Sequence, residues 1–117
     1  MGSLFGHGRL DSSFPQANFY AATKTAVTAL VEGWRQELRT LSEENNIRVA
    51  QLSPGVVKTG ALEAAMPNID KATAEAFYQT IPHLEVEDIA QCVKYVLECP
   101  IRMQIHDIHV RPTQQNF

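Results

Sequence analysis

The sequence predicts an α/β fold organised around parallel strands. Three observations carry this: helical periodicity near the start, two short strand-like runs far apart in sequence, and an amphipathic helix between those runs. A strand, a crossover helix and a second strand form a parallel unit, whose connection is expected to be right-handed.

Each element follows from its local pattern. Val27, Leu30, Val31, Trp34, Leu38 and Leu41 recur at helical spacing, which predicts a helix from Asn18 to Leu41. The polar run Ser42 to Asn46 stops it, with Asn45-Asn46 suited to a turn. Ile47 to Leu52 reads as a short strand ended by Pro54-Gly55, and Ala61 to Tyr78 as a mixed segment broken by Pro67. That segment is expected to be a mobile loop followed by a helix over Lys71 to Gln79. Val86, Ile89, Ala90, Val93, Val96 and Leu97 make the clearest amphipathic helix, stopped by Pro100. Ile105 to Val110 is the final strand, and Arg111-Pro112 opens an irregular tail. Two parallel strands alone make a poor sheet, so the inner edge of Ile47 to Leu52 is expected to lack a partner and to favour association.

Composition bounds the function. A chain of 117 residues, 44% hydrophobic and 20% charged, suits one domain spanning 1–117 and is too short for two. A net charge of -3 argues against a nucleic-acid surface, which needs clustered Lys and Arg. Neither a membrane-length apolar run nor a signal peptide at Met1 to Leu10 is visible. Cys92 and Cys99, seven apart on a predicted helix, lie about 10 Å apart along its axis, too far for a bridge. They read as reduced packing residues of a cytoplasmic protein. His106 and His109 face opposite sides of a strand, and His7 and His83 have no partners at ligand spacing, so no metal site is expected.

The chemistry concentrates at Tyr20 and Lys24. Four residues apart on a helix, a phenol and an ammonium share one face. The positive charge favours the phenolate, which equips the tyrosine to pass a proton to and from a carbonyl oxygen. The spacing is weak on its own, but its surroundings are specific. Tyr20-Ala21-Ala22-Thr23-Lys24, Ala26-Val27-Thr28-Ala29-Leu30 and Arg35-Gln36-Glu37-Leu38 resemble the catalytic helix of the short-chain dehydrogenase/reductase family. Ile47 to Thr59, with Ser53-Pro54-Gly55-Val56-Val57-Lys58-Thr59, resembles the family's next strand and its Pro-Gly turn. Glu87-Asp88-Ile89-Ala90 and the stretch from Gln104 to Thr113 resemble its last helix and strand, so the resemblance covers essentially the whole chain.

That resemblance implies the carboxyl-terminal portion of a doubly wound, Rossmann-type parallel sheet, with the amino-terminal dinucleotide-binding half absent. Gly2-Ser3-Leu4-Phe5-Gly6-His7-Gly8 imitates a phosphate-binding glycine pattern, but no strand precedes it to deliver such a loop. The same residues resemble the family segment that carries the catalytic serine. Ser3 would then donate a hydrogen bond to the substrate oxygen. It lies further from Tyr20 than the family's serine usually does, with Leu10 to Pro15 reading as a lengthened loop. A frayed terminus is the alternative for Ser3, and Ser12 and Ser13 are lesser stand-ins.

The family also implies roles for Tyr20 in proton transfer and for Lys24 at the nicotinamide ribose. Pro54, Gly55, Val57 and Thr59 would meet the nicotinamide of NADP or NAD; a plain helix cap is the alternative for Thr59. Gly60 to Tyr78 would cover a substrate, and Leu62, Met66, Ile69 and Phe77 suggest an apolar one, such as a steroid or another lipid-like carbonyl. They fit equally as core contacts of a helix. Two functions are therefore expected: an oxidoreductase acting on a carbonyl or secondary alcohol, seen as a partial chain whose unaided turnover is doubtful, or a non-catalytic interaction module. In either, the Tyr20 to Leu41 helix would pair with another copy.

Overall fold

A computed structural model of the chain describes residues 1–8, 17–41, 47–65 and 68–115. The expected turns and loops at Leu10–Pro15 and Ser42–Asn46, the alternates Ser12 and Ser13, and Met66 and Pro67 lie outside them. A 3-10 turn at Leu4–His7 precedes α1 (Asn18–Leu41), β1 (Gln51–Pro54), α2 (Ala61–Ala65), α3 (Lys71–Thr80), α4 (Val86–Glu98) and β2 (Asp107–Val110). α1 has the bounds its periodicity predicts.

β1 and β2 pair in parallel, with Gln51 opposite Asp107, Leu52 opposite Ile108, Ser53 opposite His109 and Pro54 opposite Val110. The strands are shorter than the apolar runs suggest. Residues 47–50 have no ladder opposite them, because β2 begins only at Asp107. The carbonyl of Val49 instead accepts from Gln104 Nε2 at 2.9 Å and from the Arg35 guanidinium at 3.3 Å. Arg35 is buried in α1 and also donates to His106 O at 3.1 Å and to Glu32. It fastens the helix across the run-in to both strands, so its charge is satisfied where it is desolvated.

The inner edge of β1 is not wholly bare. The amide of Gly2 donates to Leu52 O at 2.8 Å, so the first residues run beside β1 like the end of a further strand. A Cβ on Gly2 would fall 2.6 Å from Gln51 Nε2 and 2.7 Å from Ser53 Oγ. The following turn is capped by Ser3 Oγ, which accepts from Phe5 N at 3.3 Å, and ends at Gly8 with φ 74. Gly6 packs against the backbone of α1: its amide and carbonyl are engaged, the latter by Thr25 Oγ1 at 3.3 Å. Gly2 and Gly6 serve close approach and Gly8 the left-handed turn, and the terminus is docked where fraying was the alternative.

α4 starts on a reciprocal bond from Glu85 N to Asp88 Oδ2, and its far end is gripped by Arg48 Nη1, 2.9 Å from Cys99 O. Cys99 caps the helix instead of lying within it, and both cysteines are free. α2 was not expected as a helix. Among the described residues the buried apolar ones are few: Leu4, Ala21, Ala74, Tyr78, Ile89 and Cys99.

An added Cβ at Gly6 would sit 2.8 Å from the carbonyl oxygen of Lys24 and 2.9 Å from its carbon, and backbone cannot yield as a side chain can. Gly6→Ala should therefore lower stability by about 1–3 kcal/mol in urea unfolding. An unchanged midpoint would mean that the turn is not seated on α1 in solution.

Candidate active site

The amino-terminal segment converges with the start of α1. Tyr20 is 46% exposed, and the ammonium of Lys24 lies over its ring, 5.4 Å from the centroid. Lys24 Nζ also reaches Met1 O at 3.4 Å, which places the amino terminus beside the phenol–ammonium pair. Phe5 meets Tyr20 edge-to-face with 6.0 Å between centroids. Ser3, two residues before Phe5, is buried, and its hydroxyl caps the turn. The fold thus brings the Ser3 segment to Tyr20 and Lys24 despite the long separation in sequence.

Beyond β1, the chain turns at Pro54-Gly55. Gly55 N donates to Val110 O at 2.7 Å, and Val56 N donates to Gln115 Oε1 at 3.1 Å. A Cβ on Gly55 would meet Gln115 Oε1 at 2.3 Å and Arg111 Cβ at 2.8 Å, so this glycine admits the carboxyl-terminal tail. Its role here is packing against that tail. Val57 then bridges to Leu84: Leu84 N donates to Val56 O at 2.9 Å and Lys58 N to Leu84 O at 2.8 Å. In such a parallel bridge the flanking residues make the bonds, and the amide and carbonyl of Val57 itself face the other way.

Thr59 is exposed, and its hydroxyl accepts from Ala61 N at 3.2 Å at the start of α2, the capping geometry weighed for it from sequence. Its carbonyl accepts from the buried Tyr78 hydroxyl at 3.2 Å. Leu62 and Ile69 are half-buried and Phe77 is exposed, whereas Met66 lies outside the described residues. An open cleft of about 470 Å³ lies beyond, lined by Tyr78, Ile81, His83, Leu84, Arg111 and Pro112 among others, and none of Ser3, Tyr20 and Lys24 lines it.

Where β1 meets Thr28 of α1 lies a feature that sequence spacing missed. Gln51 and Ser53 on β1, and Asp107 and His109 on β2, share one sheet face, where a covered parallel sheet is normally apolar. Asp107 Oδ2 receives Gln51 Nε2 at 2.8 Å and Ser53 Oγ at 2.9 Å, with His7 Nε2 at 3.0 Å and His109 Nε2 at 3.5 Å. Gln51 Nε2 also reaches Thr28 Oγ1 of α1 at 3.0 Å. The expectation that His7 lacks partners is thereby corrected: folding supplies neighbours about a hundred residues away. Polar residues two apart in both strands are the signal that could have revealed this.

The Thr59 segment is held on α3 by ionised groups. The Lys58 ammonium is 2.6 Å from Glu75 Oε1; this bond holds the Glu75 carboxyl below the usual carboxylate range and pushes the Lys58 ammonium up. Asp70 caps α3 by accepting from Thr73 N at 2.7 Å, a backbone bond that likewise lowers its carboxyl. Depressed carboxyls stabilise above their unfolded range, about pH 4, and the contribution is lost as pH falls through the lower folded values. The raised lysine acts at the other end, its contribution fading only as pH rises past the ordinary lysine range. Amide exchange in α3 and residues 58–60, corrected for intrinsic rates, should therefore show constant protection from about pH 5 to 8 and lose it below about pH 4. Constant protection down to pH 3 would contradict this arrangement.

Comparison with known proteins fits these observations. A profile described as short chain dehydrogenase matches residues 8–70. Dehydrogenase/reductase SDR family member 11 of Gallus gallus is 46% identical over 113 residues, which cover 97% of this chain and 42% of that protein. Farnesol dehydrogenase of Aedes aegypti is 39% identical over 115 residues, 98% of this chain and 41% of that protein. The closed form of serine dehydrogenase complexed with NADP+ superposes with a TM-score of 0.79 at 24% identity, over 99% of this chain and 44% of that one, which shows a shared fold. The chain therefore spans about two fifths of the length of these relatives. With the family profile matching more than half of its residues, the chain belongs to the short-chain dehydrogenase/reductase family, whose relatives are oxidoreductases.

Proposed function

We propose that this chain carries the proton-transfer machinery of a nicotinamide-dependent oxidoreductase acting on a carbonyl or secondary alcohol. The observation that carries the reading is the Lys24 ammonium lying over a half-exposed Tyr20, with the Ser3 segment docked beside both. The residues present fit the nicotinamide–ribose end of NADP or NAD: Lys24 offers a cationic donor, Thr59 an exposed hydroxyl, and Val57 a backbone amide turned away from its bridge partner. Pro54 and Gly55 set the turn that presents them. Bound there, such a cofactor would supply or accept the hydride.

The chain's own groups would do the rest. In reduction, Tyr20 gives its phenolic proton to the carbonyl oxygen, and in oxidation its phenolate takes the proton back. Lys24 favours the phenolate by its charge and donates to the ribose. Ser3 donates a hydrogen bond to the oxygen where charge develops. Leu62, Ile69 and Phe77 flank the Thr59 segment and favour an apolar substrate, such as a steroid or lipid-like carbonyl; the name farnesol dehydrogenase on one relative points the same way. The lengths of the relatives favour action within the carboxyl-terminal portion of a larger doubly wound sheet.

A second reading rests on a separate observation. Phe19, Leu30, Trp34 and Leu41 leave an apolar stripe of α1 exposed, and the total accessible surface is 8225 Å², against about 6,300 Å² for a folded monomer of this mass. That stripe suits association through α1, as a homo-oligomer or as a non-catalytic interaction module.

NADPH oxidation with an apolar ketone separates the two. In a protein of the relatives' full length that carries this portion, the oxidoreductase reading expects turnover that Tyr20→Phe lowers by at least about 100-fold while the unfolding temperature is kept. Turnover undiminished in Tyr20→Phe would exclude this tyrosine as the proton donor. A cooperatively folded, self-associating chain that neither binds nor oxidises NADPH would favour the interaction module.

A further inference from the structure

We propose that His7, Asp107 and His109 form a binding site for a borderline divalent cation, Zn²⁺ by ligand type, with water in the fourth position. Two imidazoles and one carboxylate are a recurrent donor set for such an open site. Their ligating atoms all lie within 4.8 Å of one another. A tetrahedral ion with bonds of 2.0–2.1 Å separates its ligands by about 3.3 Å. The two nitrogen-to-Oδ2 distances, 3.0 Å from His7 and 3.5 Å from His109, bracket that edge. The imidazole rings lie 4.1 Å apart between centroids, both brought to the same carboxylate oxygen.

The surroundings supply what a bare cluster lacks. Ser53 Oγ and Gln51 Nε2 donate to Asp107 and orient it, as second-layer groups do around metal-binding carboxylates. Ser53 is fully buried, so this support is rigid. The other carboxylate oxygen, Oδ1, is buried without a hydrogen-bond partner, so Oδ2 is the oxygen presented to both histidines. The His109 side chain is 46% exposed, which gives an ion a way in and leaves room for water. His7 is carried by the 3-10 turn and the other two by β2, so a bound ion would tie the Ser3 segment to the sheet. The polarity of a sheet face that would ordinarily be apolar then has a purpose, and the expectation of no metal site is revised by contacts that sequence distance hides.

The test is titration of the chelator-treated 117-residue chain with Co²⁺, read by its visible absorption, followed by displacement with Zn²⁺. The proposal expects one saturable equivalent with tetrahedral cobalt bands, bleached by Zn²⁺, and a higher unfolding temperature with Zn²⁺ present. His109→Ala, at a half-exposed position, should weaken binding at least tenfold while the metal-free chain still unfolds cooperatively. His106→Ala and His83→Ala should bind as the unaltered chain does. Absence of a saturable equivalent would overturn the proposal. So would His109→Ala binding normally, or His106→Ala losing as much affinity as His109→Ala, which would mark scattered surface histidines.

Discussion

A single carboxylate, Asp107, stands where the segments of this chain meet. A desolvated carboxylate must find donors, and here they come from the amino-terminal turn through His7, from β1 through Gln51 and Ser53, and from β2 through His109. Gln51 extends the network to Thr28 on α1. The amino-terminal turn is thereby set against both the sheet and the helix that bears Tyr20. Arg35 acts similarly towards the other end of α1, where a guanidinium satisfies carbonyls that have no ladder partner. With few buried apolar residues among those described, such polar fastenings decide where the segments sit.

The glycines follow from the same close approach. Gly2 and Gly6 lie where a side chain would strike β1 or α1, and Gly55 lies where the tail returns. Their imitation of a phosphate loop is incidental to spacing. A glycine pattern gains meaning only from the elements that flank it, and here a 3-10 turn over Leu4–His7 follows Gly2 where a phosphate loop opens an α-helix.

What could be read from the sequence was local. The period of α1, the α4 stripe and the Pro-Gly turn are each written within a few residues, and the structure places them as read, with α1 running from Asn18 to Leu41. Tyr20 and Lys24 were legible because helical geometry alone makes them neighbours. Strand lengths were not, since pairing depends on the partner: Ile47 to Ala50 look like strand, but β2 starts only opposite Gln51. The short α2 escaped because it contains only Ala61 to Ala65. The His7–Asp107–His109 grouping is wholly tertiary, and spacing rules for ligands cannot see it. Its trace, polar residues alternating along two strands, has meaning only once the register is known.

The proposed function requires that Tyr20, Lys24, Val57 and Thr59 together form a nicotinamide–ribose site. It is tested most directly by following backbone amide resonances as the chain is titrated with nicotinamide mononucleotide, which lacks the adenosine half. The account predicts shifts centred on residues 20–24 and 57–59, weakened in Lys24→Met. Shifts confined to the cleft between Tyr78 and Arg111, or none at millimolar ligand in a folded chain, would contradict it.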